Sequence, residues 1–156
     1  MHSLASRDLP MSTYREIYDS FSELVVAYPG LNRSIVLIET FGQEGVSALP
    51  NDYSAFHQRD EINDLVVLEM GYTEDTVAGV AYDFAHGWLD ILAQSENSGY
   101  DQLVYQNYGH DDVSLSALYG YDEWRHERLS SLKRNCDPNG QFNGYHAIPI
   151  DSANWS

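Results

Sequence analysis

Ser34-Ile-Val-Leu-Ile-Glu-Thr-Phe41 and Ile62-Asn-Asp-Leu-Val-Val-Leu-Glu-Met-Gly-Tyr72 are the two stretches whose reading decides the fold. Both are short, apolar and rich in β-branched residues, which is strand chemistry. Working outward, Thr13 with Glu16 three residues on makes a capping box. Tyr14, Ile17, Tyr18, Phe21, Leu24, Val25 and Tyr28 then recur at helical spacing, and Pro29-Gly30 ends the stripe. Gly42 to Asp60 reads as a long connection punctuated by Gly45 and Pro50. Thr73-Glu74-Asp75 opens a second helix, with a capping residue and two acids that suit the helix dipole. Its stripe is Val77, Val80, Ala81, Phe84, Trp88, Ile91 and Leu92.

After Asn97-Ser98-Gly99, Tyr100 to Tyr108 reads as a third strand and Asp111 to Leu118 as a polar loop. Tyr121 to Asn135 is a third helix, stopped by Asp137-Pro138, and Phe142 to Ile150 a short terminal strand. Residues 1–11 and 151–156 read as loose ends of one domain spanning 1–156. The order helix, strand, strand, helix, strand, helix predicts an α+β fold. It is a two-layer sandwich: a mostly antiparallel sheet with helices on one face. Such a sheet leaves its other face bare, and a large bare apolar face needs a cover.

Composition narrows the function. The chain has 156 residues, 43% of them hydrophobic, enough for a core without disulfide or metal staples. Its 24 acidic and 8 basic residues give a net charge of −16. That charge repels phosphate backbones and anionic lipid, so no nucleic-acid or membrane partner is expected. Cys136, the single cysteine, allows no internal disulfide. There is no apolar signal and no apolar run of the ~18 residues that a membrane span needs. These features read as a soluble protein of a reducing compartment, the cytoplasm. Twelve tyrosines suit a pocket for a flat or greasy small molecule.

Leu49-Pro-Asn-Asp-Tyr-Ser-Ala-Phe-His-Gln-Arg59, following the 34–41 strand, resembles the substrate domain of fungal FAD-linked oxidases of the berberine-bridge type. So do Tyr105-Gln-Asn-Tyr108 and the close from Tyr119-Gly120 through Arg128-Leu129 and Asp137-Pro138-Asn139 to Phe142. The resemblance covers residues 34–148 and implies a ferredoxin-like substrate domain. In that family a separate N-terminal domain holds the flavin on a Gly-rich loop. Here the residues ahead of the match read as one helix, and no Gly-rich loop joins a strand to a helix. The expectation is therefore that this chain uses no cofactor, and that a second copy meets its open sheet face as a homodimer.

The resemblance also places Tyr105 and Asn107 in the active site. Strand alternation puts these two on one face and Gln106 and Tyr108 on the other. A tyrosine hydroxyl can donate to a substrate carbonyl, and an asparagine amide can donate or accept. Glu69 interrupts the run Leu65 to Leu68, and Glu39 stands between Leu37 and Phe41. A carboxylate in such a setting suits acid–base work. His57 and Arg59 pass the expected pocket mouth, where Arg59 either binds substrate or forks the long loop's carbonyls. The catalytic candidates are thus Tyr105, Asn107, Arg59 and Glu69, and the substrate-binding ones His57, Glu39, Phe41, Val67 and Tyr108. No metal site is expected, because no two histidines stand at i, i+4 and no HExxH occurs. The reading is a cofactor-independent cyclase or isomerase of fungal secondary metabolism. It would shape a polyene, polyketide or terpenoid-like substrate for ring closure, Diels–Alder closure among the options. The alternatives are a non-catalytic accessory or binding subunit paired with a full-length FAD-linked oxidase, and a chain that uses flavin supplied in trans.

Overall fold

The computed structural model describes residues 1–59, 62–95 and 101–155. In chain order its elements are β1 (His2–Ser6), α1 (Met11–Ala27), β2 (Ile35–Thr40), α2 (Glu44–Ser47), β3 (Asp64–Glu69), α3 (Ala78–Ser95), α4 (Leu115–Tyr119) and α5 (Glu123–Cys136), with short 3₁₀ turns between them. The strands form one antiparallel sheet in the order β1-β3-β2. The path β1-α1-β2-β3-α3 makes up the first five elements of a ferredoxin-like β-α-β-β-α-β unit. The segment after residue 101 lies where the sixth would run, since the Ala5 N–H donates to the Leu103 carbonyl at 2.9 Å. The fold is the α+β class read from the sequence.

β3 is central, so both of its faces are covered and its sequence is apolar without alternation. Leu65, Val66, Val67 and Leu68 are at most 4% exposed. On one face, Val66 and Leu68 pack with Leu4 of β1, Ile17 of α1 and Ala85, Trp88, Leu89 and Leu92 of α3. On the other, Leu65 and Val67 join Ala5 and Ile62 beneath Leu103, Tyr105 and Tyr108. The chain's own 103–108 segment thus covers the β1–β3 half of the second face. The β2 half, Ile35 and Leu37, stays exposed.

Several expectations are corrected. The N-terminus is not loose. Residues 2–6 form β1, every one of them buried, paired from His2↔Leu68 to Ser6↔Asp64. The Thr13–Glu16 capping box does not form, because α1 starts earlier: Pro10 is its N-cap, and its carbonyl accepts from the Tyr14 N–H. Residues 101–108 are not a strand. The Val104 N–H donates to the Ala117 carbonyl and its side chain packs with Ala117 and Leu118, away from the sheet. The 3₁₀ turn Gln106–Tyr108 follows. The preceding Asn97-Ser98-Gly99 stretch lies outside the described residues. The polar loop contains α4, capped by the Ser114 hydroxyl. Residues 142–150 form no strand. The tail is docked: the Trp155 ring stacks on His126 at 4.2 Å and its indole N–H donates to Ser130.

The Asp-Pro-x-x-x-Phe piece has a structural explanation. The Asp137 carboxylate accepts from Lys133 Nζ and from the backbone N–H groups of Gln141 and Phe142, closing the turn after α5. Chiefly the Lys133 hydrogen bond holds its pKa below the ordinary carboxylate value.

Candidate functional site

A cleft of about 450 Å³ opens beside the end of β2. That volume lies within the range of small-molecule sites. Leu65 lines it from β3, Ile62 from just ahead of β3, Glu39 and Phe41 from β2 and its end, Val46 from α2, Phe56 and Gln58 from the connection, and Tyr105 and Tyr108 from the 3₁₀ turn. Its wall is mainly apolar and aromatic, with a few polar groups.

The turn changes which residues share a face. In a 3₁₀ turn, positions i and i+3 eclipse. Tyr105 and Tyr108 therefore both line the cleft, with their rings edge to face at 5.3 Å. Asn107 is exposed rather than beside Tyr105 on the cleft wall, and its Nδ2 donates to the Tyr105 hydroxyl oxygen at 2.8 Å. With that oxygen accepting, the phenol's own hydrogen has no acceptor among the described residues and can point at a ligand.

Glu39 faces Leu65 across the ladder. Its carboxylate has no hydrogen-bond or ion-pair partner among the described residues. Gln58, which sequence reading missed, is 5% exposed, lines the cleft and donates to the Val104 carbonyl at 3.1 Å. That bond fixes the connection to the 103–108 segment. Its only sequence signal is its place between His57 and Arg59.

The other candidates stand elsewhere. Glu69 is exposed at the end of β3, opposite Ile35, and does not line the cleft. Val67 is fully buried under the covering segment. Arg59 is buried, donates to the Val46 carbonyl and the Ser54 hydroxyl, and lies 5.7 Å from both the Tyr53 and Phe56 rings. It is a fork that shapes the connection, including Val46 of the cleft wall. His57 does not line the cleft and lies near Arg125 of α5. Burial first, then the nearby Arg125 guanidinium, lower its pKa from 6.5 to about 4.

Arg125, also missed, is the main anchor of the connection. It is 2% exposed and donates to the carbonyls of Asn51, Ser54 and Ala55 and to the Asn51 side chain. Its position four residues before Leu129, on the apolar stripe of α5, was the available signal. Gly120 makes room for it. With φ of +101°, a Cβ there would sit 2.9 Å from Arg125 Nε and 3.0 Å from His57 Cβ.

No family model matches the chain. In sequence it is similar to fungal FAD-linked oxidoreductases. It is 36% identical over 138 residues to FAD-linked oxidoreductase anuG of Penicillium roqueforti, covering 86% of this chain and 26% of that protein. It is 35% identical over 158 aligned positions to FAD-linked oxidoreductase iacH of Pestalotiopsis fici, covering 97% of this chain and 30% of that protein. In structure it is similar to a variant of berberine bridge enzyme, with a TM-score of 0.60 and 18% identity, over 95% of this chain and 32% of that one. The chain spans less than a third of the length of the curated relatives it matches. Its fold is thus that of one part of berberine bridge enzyme, and its sequence matches one part of the FAD-linked oxidoreductases. No helix among the described residues is long and apolar enough to cross a membrane.

The cleft does not fit FAD. A pyrophosphate asks for converging backbone N–H groups or for Arg and Lys forks. The described lining has neither Lys nor Arg and presents the Glu39 carboxylate, which repels phosphate.

Proposed function

We propose that the cleft binds a flat, apolar small molecule, a polyene, polyketide or terpenoid-like intermediate. It would promote a ring closure or isomerisation of that molecule without a cofactor. One observation carries this reading: an apolar cavity walled by the Tyr105 phenol, with no Lys or Arg among the described lining residues to grip a dinucleotide phosphate. The shape of the cavity supplies proximity by folding the ligand. Tyr105 donates to a carbonyl oxygen as negative charge grows there, and Asn107 positions Tyr105 by holding its oxygen. In an isomerisation, the Glu39 carboxylate takes a proton from carbon and returns it to another carbon. In a pericyclic closure no proton moves, and Tyr105 supplies the whole electrostatic contribution.

Conjugated enone polyenes, followed by their absorbance, test the reaction, and Nile red tests the cleft. Wild type is expected to consume an enone faster than buffer does. Tyr105→Phe should lower that rate by roughly 10²-fold, the usual effect of removing one oxyanion donor, while leaving Nile red binding intact. Val46→Arg should abolish both. An unchanged rate in Tyr105→Phe would leave shape alone as the catalyst.

A second reading, a binding or accessory subunit of a full-length FAD-linked oxidoreductase, is favoured by the exposed apolar half of the sheet at Ile35 and Leu37. It predicts turnover only when such a flavoprotein is added.

A further inference from the structure

Four of the chain's six histidines gather at one corner of the fold, on the helix side of the sheet and away from the cleft. His2 comes from β1, His86 from α3, and His110 with Asp112 from the loop after the 3₁₀ turn. His146 closes the corner by directing its Nε2 to the His110 carbonyl. The His2 ring meets His86 edge-on at 4.7 Å and stacks on His110 at 4.4 Å. The Asp112 carboxylate stands between them, with Oδ2 3.4 Å from His86 Nε2 and Oδ1 3.0 Å from His110 Nδ1.

We propose that His2, His86 and Asp112 form a binding site for one divalent transition-metal ion, zinc fitting best. One ligand atom from each lies within 4.8 Å of the others. A tetrahedral ion with bonds near 2.0–2.1 Å sets its ligand atoms about 3.3 Å apart, which matches the His86–Asp112 separation. His86 Nε2 is buried and makes no hydrogen bond, although it points at a carboxylate. A lone pair held that way suits a cation between the two groups. Two imidazoles and one carboxylate select the zinc, cobalt and nickel class over calcium or magnesium, which take oxygen. His110, bonded to the other Asp112 oxygen, and Tyr82, whose hydroxyl lies 3.3 Å from Oδ2, orient the carboxylate. The fourth position is left to water. The ion would tie β1 to α3 and to the 110–112 loop.

Titration calorimetry of the metal-free full chain with Zn²⁺ at neutral pH should give one ion per chain. Co²⁺ should develop the visible bands of a tetrahedral nitrogen–oxygen site. His86→Gln and Asp112→Asn should each weaken Zn²⁺ by about 10-fold or more, the scale on which lost metal-site partners act. The His86 side chain is 31% exposed, so its replacement leaves the core intact, and circular dichroism verifies this. His126→Gln and Cys136→Ser should leave the titration unchanged. Failure of Zn²⁺ to bind stoichiometrically overturns the proposal. So does undiminished binding in folded His86→Gln and Asp112→Asn, or binding that disappears with Cys136→Ser.

Discussion

Arg125 and His57 illustrate how single side chains set the shape of the cleft without touching it. The Arg125 guanidinium satisfies three carbonyls of the 51–55 turn from the first turn of α5, with Asp122 3.4 Å away as its counter-charge. Arg125→Met would leave those carbonyls without donors, and breaking a buried charged network costs about 3–5 kcal/mol. Urea unfolding should show a loss of that size. Arg125→Lys should recover little of it, because a single ammonium cannot reproduce the planar fork. His57, packed against this arginine, makes stability depend on pH. Its pKa is about 4 in the fold and 6.5 when unfolded. Above pH 6.5 neither state is protonated and the fold is at full strength. Between pH 6.5 and 4 the unfolded chain takes up a proton that the fold refuses. Stability then falls by up to about 1.4 kcal/mol per pH unit and levels off below pH 4. Urea midpoints across this range should fall in the wild type and fall less in His57→Gln. An equal slope in both would remove His57 as the cause.

At the scale of elements, what could be read from the sequence divides along a physical line. β2, β3, α1, α3 and α5 announce themselves through periodic or continuous apolar runs, and each forms within a few residues of where that periodicity places it. β1 does not, because His2-Ser-Leu-Ala-Ser6 is half polar, and its burial comes from pairing with β3 and from the helices and the 103–108 segment that pack on it. The 101–108 segment has strand composition, but its backbone is claimed by Ala117. The turn that results sets Tyr105 beside Tyr108, a pairing that period-two reasoning excludes. Tyr105 and Tyr108 could both be named from the sequence, but their shared place on one wall of the cleft could not. The histidine corner was illegible for a different reason: its members come from four distant segments, so no local spacing can reveal it. β1 itself is tested through Leu4, which is 2% exposed between Val66 and the helices. Leu4→Ala should cost about 2–5 kcal/mol, the range for truncating a core leucine. A loss under about 1 kcal/mol in urea unfolding would mean that β1 is not part of the cooperative core.

The whole molecule still carries an uncovered surface. The 103–108 segment closes only the β1–β3 half of the second sheet face, which leaves Ile35 46%, Leu37 38% and Phe41 49% exposed along β2 at the rim of the cleft. β2 is also an edge strand in the described sheet, pairing with β3 alone. We propose that a second copy of the chain covers this strip and so completes the mouth of the cleft. Its energetics set two forces against each other. Burying the strip is favourable at about 25 cal/mol per Å² of apolar surface. Bringing together two chains of net charge −16 is unfavourable, and salt screens that repulsion. The Debye length shrinks from about 30 Å at 0.01 M salt to about 3 Å at 1 M, while apolar contact survives. Association should therefore strengthen with salt, the opposite of an interface built on ion pairs. Light scattering should give a mass moving from that of one chain, 17.7 kDa, toward twice that value as salt rises. Leu37→Glu should hold the protein at one chain throughout, by adding a charge to the strip. A single-chain mass at every salt concentration, with Nile red still bound in the cleft, would mean that the cleft works without a second copy. The exposed strip would then point to a larger flavoprotein as its partner.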